Sequence, residues 1–316
     1  MRWLTAGGRG YRYGCMEKGE QLCASAEAFA DDQILMTGCY KQMIIQAHKV
    51  VAYCDWTGMS LNLKKSELSA ILYGTTRNSS GTLNKEHTKR ATDWTLIEPI
   101  LQKITICGQQ AKLIPPTQSF QCLGLHITLS LCWKAQLQHA KQLIITKSNK
   151  IIACLATMKQ KLQMEEDCIF SAIAYSFCVT PYTIANIIEL DRLRSQTIKE
   201  ILGLPPSTST ELIFMPHTRL GLNIRSLVPS YVQTAAEGLT KSLEDKGRLG
   251  ILTRAMSKQH VGKNIKPNQN HSLGDPNPSW IRGRQTGALC LRRAALINKY
   301  GMHLDEPKTT YSYLIG

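Results

Sequence analysis

The stretch Phe29-Ala30-Asp31-Asp32 decides the fold, because two short apolar runs, residues 24–30 and 33–37, meet at its charged pair. That spacing predicts a tight β-hairpin with both carboxylates at its tip. Adjacent carboxylates repel, and each is hard to keep ionised beside the other unless they share a cation. A hard, oxygen-preferring ion such as Mg²⁺ resolves the conflict. Phosphoryl-transfer sites use such carboxylates to hold two metals about 4 Å apart. The plain alternative is a solvated Asp-Asp turn, since Asp is a common turn residue.

Moving outward, Met43, Ala47, Val50, Val51 and Cys54 recur at helical spacing over residues 40–57, and Gly58 is a natural stop. Residues 61–63 and 68–73 are strand candidates, and 74–87 is polar and loop-like. Strands are expected at 104–107, 112–114 and 120–128, with Gly108 and Pro115-Pro116 at the turns. After Trp133 the pattern turns helical. Leu137, Ile144, Ile151 and Met158 repeat every seven residues, with Ala140, Leu155 and Leu162 filling in the stripe. Helices are expected near 165–179, 184–202 and 226–243, and Gly203 with Pro205-Pro206 stops the second of them. Residues 1–20 are glycine-rich and weakly periodic. Residues 262–279 carry three Pro and four Asn and read as a linker, and 285–300 as a last basic helix.

The 316 residues carry 38 Lys+Arg against 23 Asp+Glu, a formal charge of +15. With 43% hydrophobic residues the chain is not a disordered polyelectrolyte. The surplus points to a polyanionic partner, or to a solvated basic surface. It is uneven: residues 246–299 hold eleven Lys/Arg and one acid, Asp275, and residues 133–164 hold six Lys and no acid. The eleven cysteines are scattered and never spaced C-x-x-C, which argues against a disulfide framework or a zinc ribbon and fits an intracellular location, the nucleus included. The uncharged stretch 168–188 is broken by Pro181 and reads as a buried helix, a turn and a second helix start, not as a membrane span.

Several motifs follow the aspartate pair in a fixed order. They are Gly58 with Asn62-Leu63-Lys64-Lys65-Ser66, then Phe120-Gln121-Cys122-Leu123-Gly124, then the lysine-rich helical region, and then Ile201-Leu202-Gly203-Leu204-Pro205 and Arg219-Leu220-Gly221-Leu222-Asn223-Ile224. The series, covering residues 24 to 243, resembles the palm and thumb of reverse transcriptases, in particular those of non-LTR retrotransposons. The resemblance implies an α+β fold: a partial right-hand polymerase palm, an antiparallel β-hairpin sheet with a helix, followed by an all-helical thumb and C-terminal region. It implies Asp31 as a metal ligand and Asp32 as its auxiliary neighbour, for two Mg²⁺ ions. Lys65 would lie near the incoming triphosphate, where an ammonium offsets the leaving pyrophosphate. Phe120, Leu123 and Gly124 would grip the primer end. Lys134, Lys141, Lys147 and Lys150 would line the duplex minor groove. The implied partners are an RNA template, a DNA primer and deoxynucleoside triphosphates, with no membrane.

The expected organisation is a lead-in over 1–23, a partial palm over 24–130, a helical thumb and connection over 131–260, a linker over 261–284 and a basic C-terminal helix and tail over 285–316. A polymerase of this kind also needs a strand-borne carboxylate before the hairpin. The acids preceding Phe29 are Glu17, Glu20 and Glu27, none in a strand-like run of the expected kind. The expectation is therefore a segment of an RNA-directed DNA polymerase that is inactive alone. The alternative is a non-catalytic nucleic-acid-binding remnant of a retroelement.

Overall fold

A computed structural model describes residues 11–12, 23–24, 26–29, 32–63, 65–72, 92–106, 108–247, 250, 302–304 and 313–315. The chain divides into two compact units, Met1–Cys132 and Trp133–Gly316. The architecture is α+β, with small sheets in the first unit and a long, mostly helical region in the second.

In the first unit, strands β1 (Tyr11–Arg12) and β2 (Cys23–Ala24) pair antiparallel, within the stretch expected as a lead-in. Strands β3 (Ala26–Phe29) and β4 (Asp32–Leu35) form the antiparallel hairpin. Helix α1 (Tyr40–Thr57) follows, and Gly58 ends it at φ 70°, a left-handed position that glycine adopts without strain. One face of α1 meets the hairpin: Val50 and Cys54 are buried against Leu35 and Leu61.

Strand β5 (Glu67–Leu68) pairs parallel with β6 (Lys112–Leu113), with helix α2 (Trp94–Leu101) between them in sequence. Ile97 and Leu101 of α2 are buried with Leu68, Ile104 and Ala111. Strands β7 (Ser119–Cys122) and β8 (Leu125–Thr128) form a second antiparallel hairpin. Several strand expectations fail here: among the described residues only Ile106 of 104–107 makes a bridge, to Gln109, and only Leu68 of 68–73 is in a strand. Residues 61–63 form a turn, because Asn62 draws the following backbone back onto itself. Residues 120–128 form a hairpin, because the chain reverses at Leu123-Gly124.

The second unit begins with helix α3 (Lys134–Ala153). Helix α4 (Met158–Glu165) opens on a capping box in which Thr157 and Gln160 satisfy each other's backbone N–H groups. A π-helical turn (Glu166–Phe170), helix α5 (Ser171–Tyr175) and a 3-10 turn (Ser176–Cys178) continue it. Helices α6 (Ile184–Ile201), α7 (Thr210–Phe214) and α8 (Leu227–Glu244) follow, with a 3-10 turn (His217–Arg219) before α8. Strands β9 (Met302–Leu304) and β10 (Tyr313–Ile315) pair antiparallel within residues 285–316; the linker and the basic helix over 285–300 lie outside the described residues.

A buried cluster in this unit joins Ile144 and Ile151 of α3, Ile169, Phe170, Ile173 and Phe177, Ile187 and Leu190 of α6, and Leu227 and Tyr231 of α8. Phe177, Tyr182 and Tyr231 pack edge-to-face with centroids 5.1 to 6.2 Å apart. The seven-residue stripe stops at Ile151. Helix α3 ends at Ala153, Leu155 is fully exposed on the connecting loop, and Met158 starts a new helix half-exposed. No helix among the described residues is long and apolar enough to cross a membrane.

Candidate nucleic-acid interface

The register of the first hairpin pairs Phe29 with Asp32 and Ala28 with Gln33, so residues 30 and 31 connect the strands. This corrects the expectation of two carboxylates at the tip: Asp32 opens the returning strand. Asp31 and the side chain of Asp32 lie outside the described residues. Among the described residues no group of three His, Cys, Asp or Glu side chains is placed to hold a metal ion. The described side chains therefore do not by themselves make a two-magnesium centre.

Downstream of α1, Asn62 builds a turn. Its Oδ1 and its carbonyl both accept from the Lys65 N–H, at 3.3 and 3.1 Å, and the carbonyl also accepts from the Ser66 hydroxyl at 3.0 Å. Asn and Ser are suited to this task because their short polar arms bond nearby backbone. Two residues of the Asn62–Ser66 element thus turn the chain into β5, and the exposed Lys65 side chain is left without an ion pair among the described residues. Lys64 lies outside them.

The second hairpin turns on Leu123 and Gly124, at φ 48° and 76°. Two consecutive positive φ values match the mirror-image turn that suits the right-handed twist of paired strands. Glycine tolerates this freely, whereas leucine in the left-handed region costs about 1–2 kcal/mol. Both tip residues are exposed, and Phe120 is half-buried opposite Ile127.

The four lysines assigned to helix α3 do not share one face. At 100° per residue, Lys134 and Lys141 lie on one side and Lys147 and Lys150 well around from them. Lys141 forms an ion pair with Glu189, and the Lys147 ammonium donates to the Cys168 carbonyl at 2.9 Å. These two tie α3 to the rest of its own bundle. From Lys134 to Lys150 the exposed positions of α3 are instead Lys134, Gln138, Gln142, Ile145, Thr146, Asn149 and Lys150, which wind through about 160° between the two lysines. They span about 24 Å at 1.5 Å per residue. The helix has no acidic residue. Apart from Ile145, these exposed side chains are amides, a hydroxyl and ammonium groups, types that supply many phosphate and sugar contacts.

A buried ionic cluster, not anticipated from the sequence, ties α4, α6 and α8 together. Arg194, with no exposed surface, donates from Nε and Nη2 to both oxygens of Glu165, at 2.7 and 2.9 Å. Its Nη1 donates to Asp191 at 3.2 Å and to the Arg225 carbonyl at 3.0 Å. Asp191 in turn accepts from the Ser226 hydroxyl at 2.6 Å and from the Leu227 N–H, fixing the start of α8. The Phe170 ring has guanidinium groups of Arg194 and Arg225 at 4.9 and 4.4 Å from its centroid. Nothing in the local pattern of these residues shows that partners up to 36 positions apart would meet. Every member is satisfied within the fold, so the cluster is structural.

No protein-family model matches the chain, and no curated protein matches it as a relative.

Proposed function

We propose that the chain is a segment of an RNA-directed DNA polymerase, the second half of a reverse-transcriptase palm with a helical thumb, acting on an RNA template, a DNA primer and deoxynucleoside triphosphates. The observation that carries the reading is the β3–β4 hairpin. Its Phe29–Asp32 pairing puts the aromatic-Ala-Asp-Asp stretch across a two-residue connection. The order of the later elements supports it: an 18-residue helix, the Asn62 turn into β5, the Leu123-Gly124 hairpin and then a helical unit.

In this reading Asp31 and Asp32 are the hairpin's contribution to a Mg²⁺ site, and Lys65 meets the triphosphate. Phe120, Leu123 and Gly124 hold the primer end. Mg²⁺ would supply charge neutralisation at the transferring phosphoryl group. Catalysis then requires a polypeptide segment that contributes fingers and a further strand-borne carboxylate. The test is magnesium-dependent extension of a DNA primer on an RNA template by the chain joined to such a segment. Extension should occur and be lost on Asp31→Ala. Absence of extension from the joined protein overturns the polymerase reading.

The acid-free exposed surface of α3 favours a second, narrower reading, a non-catalytic nucleic-acid binder. It predicts oligonucleotide affinity that falls with salt at about one log unit per phosphate contact. It also predicts that Lys134→Ala with Lys150→Ala weakens binding, whereas Lys141→Ala with Lys147→Ala lowers thermal stability and leaves binding intact. Salt-independent affinity would sink it.

A further inference from the structure

One face of α6 carries Arg192, Ser195, Lys199 and Glu200, at the i, i+3, i+7 and i+8 spacing that aligns side chains along a helix. Gly203, at φ 64°, stops the helix and turns the chain back, with the Leu204 N–H donating to the Lys199 carbonyl at 2.8 Å. Leu204 and Pro206 thereby line an open groove of about 610 Å³ together with this face of α6 and Thr210 of α7.

Lys199 is the unusual member. It is only 9% exposed, and its ammonium donates to one group among the described residues, the Pro206 carbonyl at 3.0 Å. A carbonyl is a neutral acceptor, so the charge has no counter-ion among the described residues. An ammonium carries three donors, and burial without an anionic partner is costly. Glu200 lines the same groove and makes no ion pair within 4.0 Å with Lys199 or Arg192. The Arg192 guanidinium brings a second positive charge, also without an ion pair among the described residues. Thr210 brings a hydroxyl, 3.5 Å from that of Ser195, whose own proton goes to the Arg192 carbonyl at 2.7 Å. Two cations and the Thr210 hydroxyl around a groove wide enough for a phosphate with its sugar match the chemistry of a phosphate ester.

We propose that the groove between α6 and the Gly203–Pro206 turn binds a phosphate group, with Lys199 and Arg192 as its charged ligands and the Thr210 hydroxyl as a further donor. The phosphate comes either from a nucleic-acid backbone or from a free nucleotide. The inference is independent of the hairpin aspartates and of catalysis.

The test uses the full chain with two probes. A fluorescein-labelled single-stranded oligothymidylate is followed by anisotropy, and deoxyadenosine monophosphate is followed by calorimetry. Lys199→Met and Arg192→Gln are compared with the parent chain, with far-UV circular dichroism as the folding control. If the groove holds a backbone phosphate, each variant weakens oligonucleotide binding about fivefold or more and lowers the salt slope by about 1. If it holds a free nucleotide, the same loss is seen only with the monophosphate. Affinities for both probes unchanged in both variants overturn the proposal, as does a parent chain that binds neither. Should Lys199→Met fail to fold, Arg192→Gln, at an exposed position, decides alone. A parent chain that binds the monophosphate but no oligonucleotide keeps the groove and removes the nucleic-acid reading.

Discussion

The two units of the chain solve the same problem, satisfying buried backbone, in opposite ways. In Trp133–Gly316 most of the described backbone is helical, and each helix closes its own hydrogen bonds. Packing then only has to bring apolar faces together, which it does around Phe177, Ile187 and Tyr231. In Met1–Cys132 the described strands pair in twos, each two to four residues long, so one edge of every strand is unpaired among the described residues. Two-stranded pieces are marginal on their own and gain stability from what packs against them. Two apolar clusters among the described residues there are small, one of five buried residues that includes Ile97 and one of two in α1. A motif-bearing hairpin can thus be well formed locally while the unit that carries it remains thinly cored.

The largest test of this contrast is Arg194→Met. Removing the guanidinium leaves Glu165 and Asp191, 1% and 5% exposed, without their cation. Breaking a buried ion pair from one side costs about 3–5 kcal/mol. Denaturant unfolding should lose that much, and hydrogen exchange should rise first at the start of α8, which Asp191 holds. A loss under 1 kcal/mol would mean that the apolar core alone carries the bundle.

A matched pair sharpens the comparison. Ile187 and Ile97 are both fully buried, one in each unit. Truncation to alanine costs about 2–5 kcal/mol, and the figure depends on how far the surroundings collapse. In the cluster that holds Ile187 buried residues outnumber the partly buried ones packed against it, thirteen to eight, so the cavity persists and a loss of about 4 kcal/mol is expected. Around Ile97 several neighbours, including Met43, Ile44 and Trp94, are only partly buried and free to move in, so about 2 kcal/mol is expected. Segment-resolved hydrogen exchange measures both, and equal losses would remove the distinction.

The same contrast explains what the sequence revealed. Helix α1 and its stop at Gly58 were legible because periodicity and a left-handed cap are local signals, as were α6, ended by Gly203, and α8. Helix α2 was not, since Pro99 lies inside it, although the Asp93 carboxylate accepts from the Thr95 N–H at 3.1 Å and marks its start. The break after Ala153 was hidden by apolar residues that continue a seven-residue repeat into a loop. At the candidate site, the hairpin and the lysine-rich helix could be read, but not which lysines the bundle consumes: the Lys141–Glu189 pair joins residues 48 positions apart. The Glu165–Arg194–Asp191 cluster and the Lys199 groove exist only once the helices have packed.

Buried aromatic polarity gives the helical unit a pH signature that has no counterpart among the described residues of the first unit. Burial pushes the Tyr182 phenol above its ordinary value of 10.0, against hydrogen bonds from Ser176, Gln136 and Thr180 that pull it down. The folded chain therefore keeps this proton to higher pH than the unfolded chain does. The stabilisation is complete below the unfolded value and is lost as pH rises towards the folded one. Stability of the bundle should fall above about pH 10, and Tyr182→Phe should flatten that part of the curve. An unchanged slope in the variant would assign the loss to other groups.

The smallest expected effect has the opposite sign. Leu220 sits at φ 64° and is 89% exposed, so it bears the cost of a left-handed backbone without burying its side chain. The next residue, Gly221, cannot relieve it. A Cβ there would come within 2.0 Å of the Met215 carbonyl oxygen, which holds the turn in place. Asparagine enters the left-handed region more readily than leucine. Leu220→Asn should therefore stabilise the helical unit by about 0.5–1 kcal/mol, seen as a higher urea midpoint at unchanged slope. The corresponding change at Leu123, also left-handed and exposed, should give a similar gain in the first unit. A gain at Leu220 with a loss at Leu123 would show that the hairpin tip needs its leucine for packing, and would separate the two turns by more than their backbone.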